Sequence, residues 1–347
     1  MTKQDQTSGD NSTNIQAGGA VTIHQGLTYA DARQIALDVF KGNFLQLAGE
    51  AADVARKRAE EITETFLAQL QKQHQAGVSQ AKEPDFQHAL FTVQKEYARC
   101  GDKELGDLLV DLLVDRAKQD SRSILQIVLN ESLVVAPKLT PDQLAALSIV
   151  FLFKYTVNNG LGNQNAFHGY LDRFVQPFAG LLEKKAACYQ HLEYSGCGTV
   201  GIGSIALEEI IRRNYPGLFS VGFDEAQFQA KQMTIPFAHP MICPCLNEPG
   251  KKQINALNED ALKSEASRSG VPADDVPKLI ALQNEHLMSE DQIRTKVIQA
   301  RAYMDKVFDT WKVTMSHFTL TSVGIAIGHA NIKKNAGEFT NLSIWIN

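Results

Sequence analysis

No stretch of the chain approaches the ~18 consecutive apolar residues that a transmembrane helix requires. The densest apolar runs, Leu108 to Val114 and Ala145 to Phe153, are interrupted by Asp111 and Ser148 and are expected to be buried core helices. The opening residues MTKQDQTSGDNSTN contain no apolar h-region, which argues against a secretory signal. Cysteine is scarce and odd in number: Cys100, Cys188, Cys197, Cys243 and Cys245 stand at irregular spacings. That pattern suits free thiols in a reducing compartment better than a disulfide framework, so a soluble, cytoplasmic protein is expected. No charge of one sign dominates. With 34 basic against 39 acidic residues the formal net charge is −5, which gives no general attraction towards nucleic acid or anionic lipid. There is no G-x-S-x-G, no Walker lysine motif and no H-E-x-x-H. Accordingly no catalytic residue, cofactor or metal is assigned, and the chain is read as leaning away from an enzyme.

What is present is mostly helical periodicity. Apolar residues make up 44% of the 347, which rules out wholesale disorder, and the length suggests two domains. The pattern predicts a mainly α, multi-helix, two-domain protein with a short β-hairpin-like arm at its N-terminus. The arm covers residues 1–27, a helical domain 28–158, and a mostly helical C-terminal domain 159–347 with an irregular insert at 215–256. Thr28 and Asp31 form a capping-box signal, and one long helix is expected from Tyr29 to about His74. Phe44, Ala48, Ala51, Ala55, Ala59, Ile62, Phe66 and Leu70 make its apolar stripe, with Gly42 and Gly49 as points where it could kink or divide. A loop at 77–84 precedes helices near 85–100, 103–118, 121–134 and 141–157, the last opened by Thr140-Pro141. The turn cluster 158–165 is the expected domain boundary. Helices near 166–192, 205–214, 257–268, 274–286, 289–312 and 321–334 follow, and the apolar tail Leu342–Asn347 is expected to dock. Residues 215–256 hold five of the eleven prolines, which argues against regular helix there.

Three constellations invite a chemical reading. Gly196-Cys-Gly-Thr-Val-Gly201 satisfies G-x-G-x-x-G, but the residues before it, Cys188 to Ser195, are polar and helix-like where a dinucleotide site needs an apolar strand. A flexible interdomain loop is the simpler expectation. His239, Cys243 and Cys245 form H-x3-C-x-C, with Cys188 or Cys197 as further conceivable ligands. Structural zinc sites usually present a C-x2–4-C pair, so half-buried thiols are expected instead. The basic doublets Lys184-Lys185, Arg212-Arg213 and Lys333-Lys334 are expected to solvate helix ends, or, in a winged-helix-like C-terminal region, to gather into a nucleic-acid surface.

The segment Thr13 to Ile23 is the most informative. A three-residue loop at Ala17 to Gly19 places Ile15 opposite Val21 and Thr13 opposite Ile23, with Asn14/Thr22 and Gln16/Ala20 on the other face. Stacked copies would bury the Ile/Val face and run Asn14 and Gln16 into amide ladders. The segment GDNSTNIQAGGAVTI resembles the amyloid-signalling motifs of bacterial immune proteins and, more distantly, the RIP-homotypic interaction motif; Ala17 stands where the RIP-type core has a larger aliphatic residue. The whole chain resembles a bacterial family that carries this GDNSTNIQAGG segment, together with Leu144–Tyr155 and the ending Phe318–Ile332, and this resemblance implies no activity. The ending, with Leu320-Thr-x-x-Gly-x-x-Ile, is also similar to helical abortive-infection-type proteins.

These readings converge on a self-associating protein of bacterial stress or anti-phage defence signalling, with Asn14, Ile15, Gln16, Val21 and Ile23 as the assembly residues. Its expected partners are copies of itself and another signalling protein met through the same segment, with membrane contact only after activation. An ordinary oligomerising β-arm and a disordered leader are the other readings of the segment. A nucleic-acid-binding regulator is the alternative for the whole chain.

Overall fold

A computed structural model describes residues 27–43 and 49–347, and they are mainly helical. The assembly residues Asn14, Ile15, Gln16, Val21 and Ile23 and the expected hairpin lie outside the described residues, as do Phe44 and Ala48. The first half comprises α1 (Tyr29–Asn43), α2 (Glu50–Gln73), α3 (Pro84–Cys100), α4 (Lys103–Ala117), α5 (Ile124–Val135) and α6 (Pro141–Tyr155). Then come α7 (Gln164–Phe174), α8 (Gln176–Ala179), α9 (Ala186–Tyr194), α10 (Leu207–Asn214) and α11 (Glu225–Gln229). The chain closes through α12 (Glu259–Arg268), α13 (Val276–Glu285), α14 (Glu290–Ala300), α15 (Met304–Val313) and α16 (Ser322–Ala336). Two antiparallel strand pairs complete it: β1 (Gly198–Val200) with β4 (Phe318–Leu320), and β2 (Ile242–Pro244) with β3 (Lys252–Ile254). Among the described residues no helix is long and apolar enough to cross a membrane.

Local chemistry explains the helix limits. Thr28 and Asp31 close the capping box at α1, the Asp31 amide donating to Thr28 Oγ1 and the Thr28 amide to Asp31 Oδ2. Thr140 with Gln143 does the same at α6, and Ser289 with Gln292 at α14. The expected single helix from Tyr29 to His74 is two, because Gly49 at φ 55° sits outside helical geometry just before α2. The stripe then runs along α2 as Ala55, Ala59, Ile62, Phe66 and Leu70, all buried, while Ala51 is exposed. The expected loop at 77–84 is largely a 3-10 helix, Gln75–Lys82. The expected helix 166–192 is three pieces, since Pro177 cannot continue α7 and opens α8 instead. The expected helix 289–312 breaks at Arg301, whose extended backbone aims its guanidinium at both oxygens of Asp172, at 2.6 and 2.7 Å.

The expected division at 158 does not divide the core. One hydrophobic cluster runs from Ala32 to Ile346, with α4, α6 and α16 at its centre. Residues 108–114 and 145–153 are buried throughout, and so are 323–332 of α16. Asn331 Nδ2 donates to Ser148 Oγ at 2.9 Å, a polar contact that fixes α16 against α6 inside this apolar layer. Lys154 Nζ donates to the carbonyls of Met315, Ser316 and Phe318 at 2.8–3.0 Å and so ties the end of α6 to β4. The tail docks as expected: Trp345 Nε1 donates to the Tyr155 carbonyl at 2.7 Å, and Leu342 and Ile346 are buried.

A second cluster holds Phe223, Ile242, Ile254, Leu262 and Leu279, and its residues come from 223 to 282. The chain enters and leaves this module side by side: Ser220 bridges Leu287, the Val221 amide donates to the His286 carbonyl, and the Met288 amide to the Phe219 carbonyl. The irregular insert expected at 215–256 is therefore the first part of a module reaching to about His286. It includes α12 and α13, which periodicity alone assigned to the surrounding domain. Proline-rich turns hid the fact that both halves share one core.

Asp275 organises the module. Fully buried, its Oδ2 accepts from Thr234 Oγ1 (2.6 Å) and from the amides of Thr234 (2.7 Å) and Ile235 (3.2 Å), and Lys278 pairs with Oδ1 at 3.1 Å. Burial opposes its charge, but these hydrogen bonds and the ammonium outweigh it and hold the carboxyl down to about 2. A depressed carboxyl stabilises the fold above its unfolded value of 3.8 and loses that contribution as pH falls through about 2. Asp275→Asn is expected to cost about 1.5–3 kcal/mol, read as faster amide exchange across residues 223–282 at neutral pH. Unchanged exchange there would remove the role given to this carboxylate.

Candidate functional site

α4 carries Asp111 and Asp115 four residues apart, so both carboxyls leave the same face of a helix whose residues 108–114 are buried throughout. On α16, His329 and Lys333 stand at the same spacing. Packing α16 on α4 brings the pairs together. Lys333 Nζ lies 3.2 Å from Asp115 and 3.7 Å from Asp111, and Lys118 Nζ lies 2.6 Å from Asp115. Gln69, reaching over from α2, donates its amide to Asp111. The side chains of Lys333, Asp111 and Asp115 are 14%, 6% and 14% exposed, so this is a charge cluster at the margin of the core.

The cluster borders an open cavity of about 1050 Å³. Thr65, Gln69, Lys72 and Gln73 of α2 form one wall, Leu125 and Leu129 of α5 another, and the tail residues Gly337 to Ser343 the third. Ala68, Asp115, Lys118, Gln119, His329 and Lys333 complete the lining. This volume lies within reach of the usual range for sites that hold small organic ligands.

The environment sets the charge states. Burial pushes the Asp111 carboxyl up, with the nearby Asp115 charge adding to it and Lys333 opposing. Burial acts the same way on Asp115, but the ammoniums of Lys333 and Lys118 outweigh it and hold that carboxyl below the ordinary value. His329 is 2% exposed, packed against Phe151, Phe339 and Trp345 with ring centroids 5.5–6.0 Å away. Burial lowers its pKa, favouring the neutral ring. Its Nε2 lies 2.6 Å from the Thr340 carbonyl, which can only accept, so Nε2 carries the proton. Nδ1 is then a lone-pair acceptor, and it is buried with no partner. The arrangement can bind: it offers fixed cations and amides beside an apolar wall.

The other sequence candidates take structural roles. Gly196 to Gly201 is not a flexible interdomain loop: Gly198–Val200 is β1, paired with β4, and the Thr321 amide donates to the Cys197 carbonyl. Gly198 is required by proximity, since a Cβ there would lie 2.3 Å from the Phe318 ring. His239 Nδ1 accepts from the Met241 amide and Cys245 Sγ donates to the Ser220 carbonyl. Among the described residues no three His, Cys, Asp or Glu side chains are grouped to hold a metal ion. Burial pushes the thiols of Cys188 and Cys197 up to about 12, leaving them inert as nucleophiles.

Five of the six residues of the basic doublets are paired with carboxylates; Arg213 has no ion pair among the described residues. Lys184 pairs with Asp309, Lys185 with Glu183, Arg212 with Glu209 and Glu290, Lys333 with Asp111 and Asp115, and Lys334 with Glu104. Residues 323–332 of α16, just before Lys333 and Lys334, are buried.

A protein-family model described as “:-like” matches residues 26–346. No curated protein and no solved structure matches the chain. Since the family match runs through nearly all of the helical body just described, the chain belongs to this “:-like” family.

Proposed function

We propose that the chain is a self-associating signalling protein of the cytoplasm, acting by binding and assembly rather than by catalysis. Its helical body receives a small polar ligand in the cavity bordered by α2, α4, α5, α16 and the tail, and residues 13–23 join copies to one another. The observation that carries the reading is the charge cluster Asp111, Asp115 and Lys333, kept largely dry yet bordering a cavity of about 1050 Å³. Charges held this far from water are costly, and the opening onto the cavity leaves Lys118 and Lys333 within reach of a ligand. The assembly half rests on the sequence, where Ile15 and Val21 share one face of the register and Asn14 and Gln16 the other.

The likeness of this segment to amyloid-signalling motifs supports a place in bacterial stress or anti-phage defence. On that reading its partners are other copies of itself and a second signalling protein bearing a compatible segment, with a membrane engaged only after activation. Replacing Ile15 and Val21 together by Asp tests the assembly half. The doubly substituted protein is expected to keep its helical circular dichroism and to lose self-association in analytical ultracentrifugation. Retention of the parent assembly would overturn the role given to the segment.

A further inference from the structure

The cavity's hydrogen-bonding groups are unequally used, and the imbalance describes a ligand. The Gln73 amide, the Asn341 Nδ2 group and the Lys72 ammonium line the cavity with no protein partner among the described residues. Lys118 spends one contact on Asp115 and has protons to spare. Three ammoniums of the lining, Lys72, Lys118 and Lys333, face two carboxylates, the paired Asp115 and Glu338, which is free of ion pairs among the described residues, so the polar side is on balance cationic. The opposite wall is of another character: Leu125 and Leu129 with the Phe339 ring, whose neighbours Phe174 and Trp345 hold it by edge and face contacts at 5.7 and 6.2 Å.

We infer that the cavity takes an organic anion of nucleotide size, with its phosphate or carboxylate against Lys72 and Lys118 and a flat, apolar body against Phe339, Leu125 and Leu129. The inference rests on the reading of this cavity as a ligand site and names the ligand's chemistry. Charge-assisted bonds from the two ammoniums fix the head and are sensitive to salt. The apolar wall supplies affinity that depends on the body's shape and not on its charge. A nucleoside monophosphate and an aromatic carboxylate share this chemistry.

Isothermal calorimetry on the full chain tests it with adenosine monophosphate, 4-hydroxybenzoate, adenosine and inorganic phosphate. At least one of the two organic anions is expected to bind, more tightly than either adenosine or phosphate, and more weakly at high salt. Adenosine monophosphate as the tighter of the two assigns a phosphate head, and 4-hydroxybenzoate a carboxylate. Lys72→Gln, an exposed position outside every ion pair described, is expected to weaken that binding about tenfold, and Lys118→Gln to do likewise. Failure of both organic anions to bind overturns the inference. So does adenosine binding as tightly as its monophosphate, although the cavity would then still be a ligand site. Phosphate binding as tightly as adenosine monophosphate overturns the flat-body half.

Discussion

Asp115→Asn is expected to lower the stability of the helical body by about 3 kcal/mol at neutral pH, whereas Asp111→Asn is expected to leave it unchanged or raise it. The two residues are one helical turn apart and face the same lysine, so simple proximity predicts similar effects. Their environments separate them. Lys333 and Lys118 both hold Asp115 in its charged form, with its carboxyl below 3.8 in the folded chain. Its contribution is present above that unfolded value and lost as pH falls through the folded one. Asp111 has the opposite sign. Burial holds its folded value above 3.8, so its charge is a liability at neutral pH that is relieved as pH falls through that raised value. An Asn at 111 can still accept the Gln69 amide, and Lys333 retains Asp115. Urea midpoints of both variants at pH 7 and pH 4.5 measure the contrast. Equal losses for the two, or a greater loss for Asp111→Asn, would contradict the assignment of charge in the cluster.

Gly324→Ala is expected to cost about 3 kcal/mol or more, because a Cβ there would lie 1.9 Å from the Cys197 carbonyl oxygen. That oxygen has little room to retreat. It accepts the Thr321 amide at 3.1 Å, and Cys197 itself is fully buried next to β1. One turn on, Gly328 meets the Leu147 carbonyl of α6 at 2.8 Å from its own would-be Cβ. The two glycines let α16 lie close against β1 and α6, and that approach carries His329 and Lys333 to the cavity. Gly169 of α7 provides the control. No atom lies within 4 Å of its would-be Cβ, and Gly169→Ala is expected to stabilise by about 0.5–1 kcal/mol through helix propensity. Denaturant unfolding of the two variants checks the pair. A Gly324→Ala protein as stable as the parent would show that α16 can shift, and with it the geometry of the site.

Helix periodicity and caps were legible because they are local. Thr28, Thr140 and Ser289 cap where the sequence places them, and α3, α4 and α6 begin and end within about two residues of expectation. The inserted module was not legible. Its core joins Phe223 to Leu279 across more than fifty residues, and its neck is a bridge between Ser220 and Leu287. The site was hidden for a related reason. Asp111 looked like an interruption in an apolar run, His329 like one of several scattered histidines, and Lys333 like half of a basic doublet. Each spacing was visible, Asp111 to Asp115 and His329 to Lys333, but nothing in the chain order says that the two helices share a face. A polar residue repeating at i,i+4 inside an otherwise buried helix was the signal that could have found them.

The most direct test of the account is the solution mass of the intact chain beside one beginning at Thr28, by light scattering after size exclusion. The account predicts that the intact chain forms discrete or large assemblies while the shorter one is a single helical body of monomer mass. One mass shared by both would contradict it, and the organising role would then pass from residues 1–27 to the body.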